Sequence, residues 1–268
     1  MARIDNDETK DIATPFLILA HVRTGGTFCA HALSNHPSVF CDRGEVMHHA
    51  SIWRKAKIKP DRLMVMLWNQ TGYFASGFRL IYRQAFHEKV WPTIQKVQPK
   101  IIHLQRRSLL RQALSYAYQQ QVRGRNLEYH PVHSFRERDV PQATMDLDYA
   151  AYAVKRIASE RKRGHDRLKK EFDGEYIEVF YEDMVRGGAG GSVQEMNPRE
   201  RARVCQFLGV DNVPLRVDLK REFPVPLWEM FGNWTALRER LAREGWGYNV
   251  EQEENSWTQV DGRWVLGE

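Results

Sequence analysis

Cysteine is scarce in this chain. Three residues in 268, Cys29, Cys41 and Cys205, are an odd number without paired spacing, so neither a disulfide framework nor a cysteine-based zinc site is expected. A reducing compartment is the natural reading, and the expected location is cytoplasmic. Long apolar runs are missing as well, and residues 1–10 are polar and acidic where a secretory leader needs a basic start and an apolar stretch. No membrane span is expected. Charge of one sign is not in large excess: 40 Lys and Arg against 34 Asp and Glu leave a net +6. That suits an anionic ligand but is modest for a nucleic-acid binder of this size, so no nucleic-acid partner is expected. Internal repeats are absent, and the length and 42% hydrophobic content fit one domain over 1–268. The oligomeric state is left open.

Against these absences stands a repeated unit of strand, loop and helix. Phe16-Leu17-Ile18-Leu19-Ala20 is a continuous apolar run, the pattern of a parallel strand buried on both faces, and it enters a glycine turn. A helix is expected from near Thr27, with Phe28, Cys29, Ala32 and Leu33 at helical spacing, ending at Asn35-His36-Pro37 because proline cannot continue the backbone bonding. A second unit begins at Ile101-Ile102-His103-Leu104 and continues into Leu110, Ala113, Leu114 and Ala117. Residues 146–170 read as a long helix and 176–181 as a strand; Asn197-Pro198-Arg199-Glu200 reads as a helix start that Gly209 ends. Alternating β and α elements imply an α/β fold, a central parallel sheet flanked by helices. Residues 186–192 read as a glycine-rich surface loop, and the last dozen, with Trp257 and Trp264, show no periodicity.

The loop from Ala20 to Thr27 has the spacing of a phosphate-binding loop: a small residue, four others, Gly25, Gly26, then Thr27 at the helix start. Such a loop aims backbone N–H groups and the helix dipole at an anion. Its departure is informative: Gly26 occupies the position where a nucleotide triphosphatase needs a lysine, which disfavours ATP or GTP hydrolysis. Arg23, three positions earlier, supplies a permanently charged donor fork instead.

Two segments together resemble the nucleotide-binding signatures of the sulfotransferase family. Arg23-Thr24-Gly25-Gly26-Thr27-Phe28 resembles the loop that binds the 5′-phosphosulfate, and Arg107 with Ser115 resembles the arginine and helix serine that bind the 3′-phosphate. Spacing alone does not find this second site, since eight helical residues span about 12 Å; the resemblance supplies it. Tyr181-Glu182-Asp183-Met184, Val204-Cys205-Gln206-Phe207-Leu208-Gly209 and Asn233-Trp234 resemble further family segments in the same order. The arginine-first loop, the Arg106-Arg107 doublet and His36-Pro37 look more like bacterial carbohydrate-type and tyrosylprotein sulfotransferases than the phenol and steroid enzymes.

The resemblance implies 3′-phosphoadenosine 5′-phosphosulfate as cofactor, 3′,5′-adenosine bisphosphate as product, a hydroxyl-bearing acceptor, a P-loop-like fold and no metal. Glu45, in Cys41-Asp42-Arg43-Gly44-Glu45, resembles the family's Gly-Glu base; Asp42, His48 and His49 are its rivals. His48-His49 lacks a third ligand at zinc-site spacing. Lys220, with Arg221 beside it, takes its cofactor-binding assignment from position alone, and His103 reads as a hydrogen-bonded core residue. Acceptor contacts are expected from variable stretches 46–95 and 120–145, with Trp53, Trp68, Tyr73, Phe74, Phe78 and Tyr82 available to line a cleft or fill a core. A small-molecule kinase with an unusual loop and a non-catalytic basic module for polyanions are the alternatives.

Overall fold

A computed structural model describes residues 13–47, 58–124, 144–185, 194–218, 226–260 and 263–266. Five parallel strands, β1 (Thr14–Ala20), β2 (Val39–Glu45), β3 (Ala75–Ile81), β4 (Lys100–Gln105) and β5 (Tyr176–Phe180), form a sheet in the order β2-β3-β1-β4-β5. The helices that cover it are α1 (Gly26–Ser34), α2 (Pro60–Trp68), α3 (Trp91–Val97), α4 (Leu109–Gly124), α5 (Leu147–Glu171) and α6 (Pro198–Leu208). Two more, α7 (Trp234–Leu241) and α8 (Gly247–Asn255), follow. The expected α/β architecture is the observed one.

The unbroken apolar run of β1 has the cause anticipated for it. Phe16, Ile18 and Ala20 pack with Phe28 and Leu33 of α1 and Val204 and Leu208 of α6. Leu17 and Leu19 face the other layer, with Leu63 and Leu67 of α2 and Ile94 of α3. Each fully buried side chain of this size contributes about 1.5–3 kcal/mol, so β1 anchors both layers. A third cluster joins Leu110 and Leu114 of α4 to Val154 and Ile157 of α5 and to Leu237 and Leu241 of α7.

Local chemistry sets the helix ends. Asp146 caps α5 by accepting from the Tyr149 amide at 2.9 Å, and Asn197 caps α6 by accepting from the Arg199 amide at 3.0 Å, with Pro198 in its first turn. Residue 181, read as the end of β5, begins a short helix, Tyr181–Met184.

The stretch 46–95, from which acceptor contacts are expected, supplies β3, which lies between β2 and β1. Trp68 and Phe78 are core, the Trp68 indole donating to the Phe16 carbonyl at 2.8 Å, and Tyr82 is buried too. Tyr73 packs beside Phe40, and Phe74 is exposed. Trp53, His48, His49, Lys220, Arg221, residues 1–10 and the 186–192 loop lie outside the described residues. The tail without periodicity forms an antiparallel pair, Trp257–Val260 with Arg263–Leu266. Among the described residues no helix is long and apolar enough to cross a membrane. All three cysteines are free and buried, and burial pushes the Cys29 thiol up to about 12, so it is not a nucleophile near neutral pH.

Candidate anion-binding site

The site forms where β1, β2 and β3 end, at the carboxyl edge of the sheet, the edge at which open parallel sheets bind ligands. The β1–α1 loop turns there through two left-handed residues, Arg23 at φ 64° and Gly25 at φ 83°. Thr24 is buried and its hydroxyl donates to the His21 carbonyl at 2.8 Å, which fixes the turn. Helix α1 starts with no side-chain cap and no acidic residue in its first turn, so among the described residues no cap side chain takes up its leading N–H groups, which point at the site. Phe28 lends the loop only its backbone, since its ring is in the core.

Both glycines make room for neighbours. A Cβ on Gly25 would meet the Tyr181 ring at 2.0 Å. Gly25→Ala combines that overlap with a left-handed backbone, and is expected to cost about 2–4 kcal/mol in urea unfolding. Placing it in a Tyr181→Ala background should recover the steric part.

A Cβ on Gly26 would meet the Arg79 Cδ at 2.6 Å. The space left by the missing lysine is therefore filled by an arginine from β3. Arg79 is 8% exposed and pairs in register with Ile18 of β1 and Glu45 of β2. Its Nη1 donates to the Thr27 hydroxyl at 2.7 Å and its Nη2 to Glu45 Oε1 at 3.3 Å. Burial lowers the Arg79 pKa from the ordinary arginine value and the Glu45 carboxylate opposes that shift, so the guanidinium stays charged. Its Nε is buried without a hydrogen-bond partner among the described residues.

Glu45 reaches Arg79 through an irregularity in β2. Cys41 pairs with Gly77 and Glu45 with Arg79, so two extra residues bulge between them and re-aim the glutamate. Asp42, the rival base within the bulge, spends Oδ1 on the Gly44 amide at 2.8 Å.

The pair assigned to the second phosphate is divided. Ser115 is buried and its hydroxyl accepts from Arg23 Nε at 2.8 Å, so Arg23 bends from the loop onto α4. Arg107 is half-exposed, bonds Asp183 at 2.5 Å and stacks on Phe180. Its neighbour Arg106 is the buried member of the doublet. Arg106 Nη1 donates to the Arg23 carbonyl at 3.1 Å, and its guanidinium lies against the Tyr181 ring and 3.6 Å from Glu182. Arg106 thus holds the loop, and Tyr181 and Glu182 hold Arg106.

The loop is also tied to α5. Glu160 can only accept, so His21 donates to it from Nε2, at 2.7 Å, and Gln112 donates to the opposite ring nitrogen at 3.1 Å. This bond from His21, with one from Arg156, holds the Glu160 carboxyl down to about 2. A depressed carboxyl stabilises the fold above its unfolded pKa, near 4.5, and that contribution is lost as pH falls towards 2. Glu160→Gln should therefore lower stability at pH 7 by on the order of 1 kcal/mol for a partly screened group, read as a lower urea midpoint, and the difference should close only as pH falls to about 2. Arg161, next on α5, is half-buried within electrostatic reach of Tyr82, Glu182 and Arg106, and has no hydrogen-bond partner among the described residues.

His103 is fully buried with Nε2 at 2.6 Å from the Tyr82 hydroxyl, the hydrogen-bonded core histidine expected of it.

Fold and site together define a parallel α/β protein whose first loop opens a helix that has no side-chain cap, with the buried arginines Arg79 and Arg106 beside it. No protein-family model matches the chain, and no curated protein matches it.

Sequence reasoning missed Arg79 and noted Arg106 only as part of the doublet, without a role of its own. A charge inside Phe78-Arg79-Leu80-Ile81 is the one signal that could have found Arg79, because an arginine in an apolar strand must meet a partner at the strand's end.

Proposed function

We propose that the protein is a sulfotransferase that takes 3′-phosphoadenosine 5′-phosphosulfate as donor and a hydroxyl-bearing acceptor. The observation that carries this reading is the placement of Arg79 on both Thr27 and Glu45. In a nucleotide triphosphatase the threonine at this position binds magnesium. Here a fixed cation already holds that hydroxyl, which repels a divalent ion and disfavours a magnesium-dependent kinase. Sulfuryl transfer needs charge stabilisation on the leaving phosphate, which arginine and backbone dipoles supply.

The donor set fits such a cofactor at its 5′ end: uncapped N–H groups of α1 and the Arg79 guanidinium with an unpartnered buried Nε, with Arg23 of the same loop held onto Ser115. Bound there, the cofactor supplies the sulfuryl group. Glu45 keeps Arg79 on Oε1 and has no hydrogen bond at Oε2 among the described residues, so Oε2 is the atom that accepts the acceptor's proton. At the 3′ end Arg107 reaches a phosphate only by exchanging Asp183 for it, while Ser115 is reached through Arg23. Lys220 is assigned to the cofactor by sequence position alone.

The acceptor is a sugar, lipid, peptide or small-molecule hydroxyl. Incubation with sulfur-labelled donor and members of each class should label at least one of them. Absence of transfer to every class, together with turnover of ATP on a small-molecule acceptor, would sink the proposal.

A further inference from the structure

Away from the loop, on the face of the sheet that α5 covers, three side chains from three elements converge. They are His103 of β4, Glu178 of β5 and His165 of α5, with ligand atoms all within 4.8 Å of one another. We propose that they form a binding site for a divalent cation of the zinc class, in which His103 Nδ1, His165 Nδ1 and Glu178 Oε1 are three ligands and solvent supplies a fourth.

The spacing is the first reason. His165 Nδ1 lies 3.2 Å and His103 Nδ1 3.5 Å from Glu178 Oε1. Zinc bonds to nitrogen and oxygen of about 2.0–2.1 Å in a tetrahedron place neighbouring ligands about 3.3 Å apart. The second reason is an unmet need. His103 Nδ1 is buried and has no hydrogen-bond partner among the described residues, although it faces Glu178 Oε1. With the ring proton on Nε2, towards Tyr82, Nδ1 turns a lone pair to the Glu178 carboxylate and is in ligand form; with the proton on Nδ1, it faces Glu178 Oε1 at 3.5 Å and a bound cation displaces it.

The surroundings match those of metal sites. Tyr82 fixes the far nitrogen of His103 at 2.6 Å, and Gln105 Nε2 donates to Glu178 Oε1 at 3.0 Å, the outer hydrogen bonds that orient ligands. His165 and Glu178 side chains are 41% and 37% exposed, which leaves a path for the ion and room for a solvent ligand. Gly164 lets α5 approach, since a Cβ there would meet the Tyr82 ring at 2.4 Å. Arg161, one turn earlier, lies within electrostatic reach of His103 and works against a cation, so affinity below that of a closed four-ligand site is expected. A bound ion would pin α5, with Glu160 and Arg161, to the β4–β5 edge.

The test is titration of the tag-free, chelator-treated full chain with Co2+, followed by visible absorption, with Zn2+ as competitor. One equivalent should bind with the intense absorption of a four-coordinate ion, and Zn2+ should displace it. His165→Ala and Glu178→Gln, at half-exposed positions, should each weaken binding at least tenfold with far-UV circular dichroism unchanged. A His48→Ala/His49→Ala variant should bind as the parent does. No binding by the parent, or affinity unchanged in both site variants, overturns the proposal.

Discussion

Arg79→Met is expected to lower kcat/KM for sulfuryl transfer by about 100- to 1,000-fold, the range seen when one preorganised charge-stabilising donor is removed. The loss follows from position: Arg79 replaces, from a neighbouring strand, the charge that Gly26 cannot carry, and it holds Thr27 and Glu45 together. Stability should change much less. Methionine fills similar volume, and the cost of removing one member of an ion pair comes from the charge left behind without water, so it falls when that charge is partly exposed. Glu45, with its side chain 37% exposed, is such a charge. Arg79→Lys should recover only part of the loss, because an ammonium cannot place two donors in the fixed fork that reaches both oxygens. Steady-state kinetics with the urea midpoint of each variant decide the matter, and wild-type kcat/KM in Arg79→Met contradicts the assignment.

Glu45→Ala is expected to act on a different parameter. Removing a general base lowers turnover by about 100- to 10,000-fold, whereas affinity for 3′,5′-adenosine bisphosphate should stay within a few-fold of the parent, because the proton it accepts belongs to the acceptor. Asp42→Asn should leave turnover nearly intact, since Asp42 already serves the turn at Gly44. Because Arg79 and Glu45 touch, their effects should not add: the double variant should lose less than the product of the two single losses. Full turnover in Glu45→Ala removes it as the base.

Both predictions turn on Arg79, whose partners, Thr27 and Glu45, no local pattern names. Local signals in this chain were informative wherever the cause is local. The β1 run predicts two-sided burial, Asp146 and Asn197 predict the starts of α5 and α6, and the turn from Ala20 to Thr27 predicts a loop opening a helix. What stayed hidden is set by pairing over distance. β3 contains Ser76, Gly77 and Arg79 and reads poorly as a central strand, yet it lies between β2 and β1 because Ser76 bonds the Leu67 carbonyl at 2.5 Å and Arg79 finds Thr27 and Glu45. The Arg106-Arg107 doublet shows the same limit: nothing in the order of two arginines says which turns inward to the Arg23 carbonyl and which turns out to Asp183. Likewise Ser115 sits on the helix where it was expected, but its partner is Arg23, 92 residues away.

The central claim is that the β1–α1 loop, with Arg79 behind it, receives an adenosine nucleotide bearing phosphates at both 3′ and 5′ positions. Calorimetric titration of the full chain with 3′,5′-adenosine bisphosphate, compared with ATP plus magnesium and with an oligonucleotide, tests it most directly. The account predicts micromolar binding of the bisphosphate, lost in Arg79→Met and absent for the other two ligands; selective binding of ATP, or of the oligonucleotide, contradicts it.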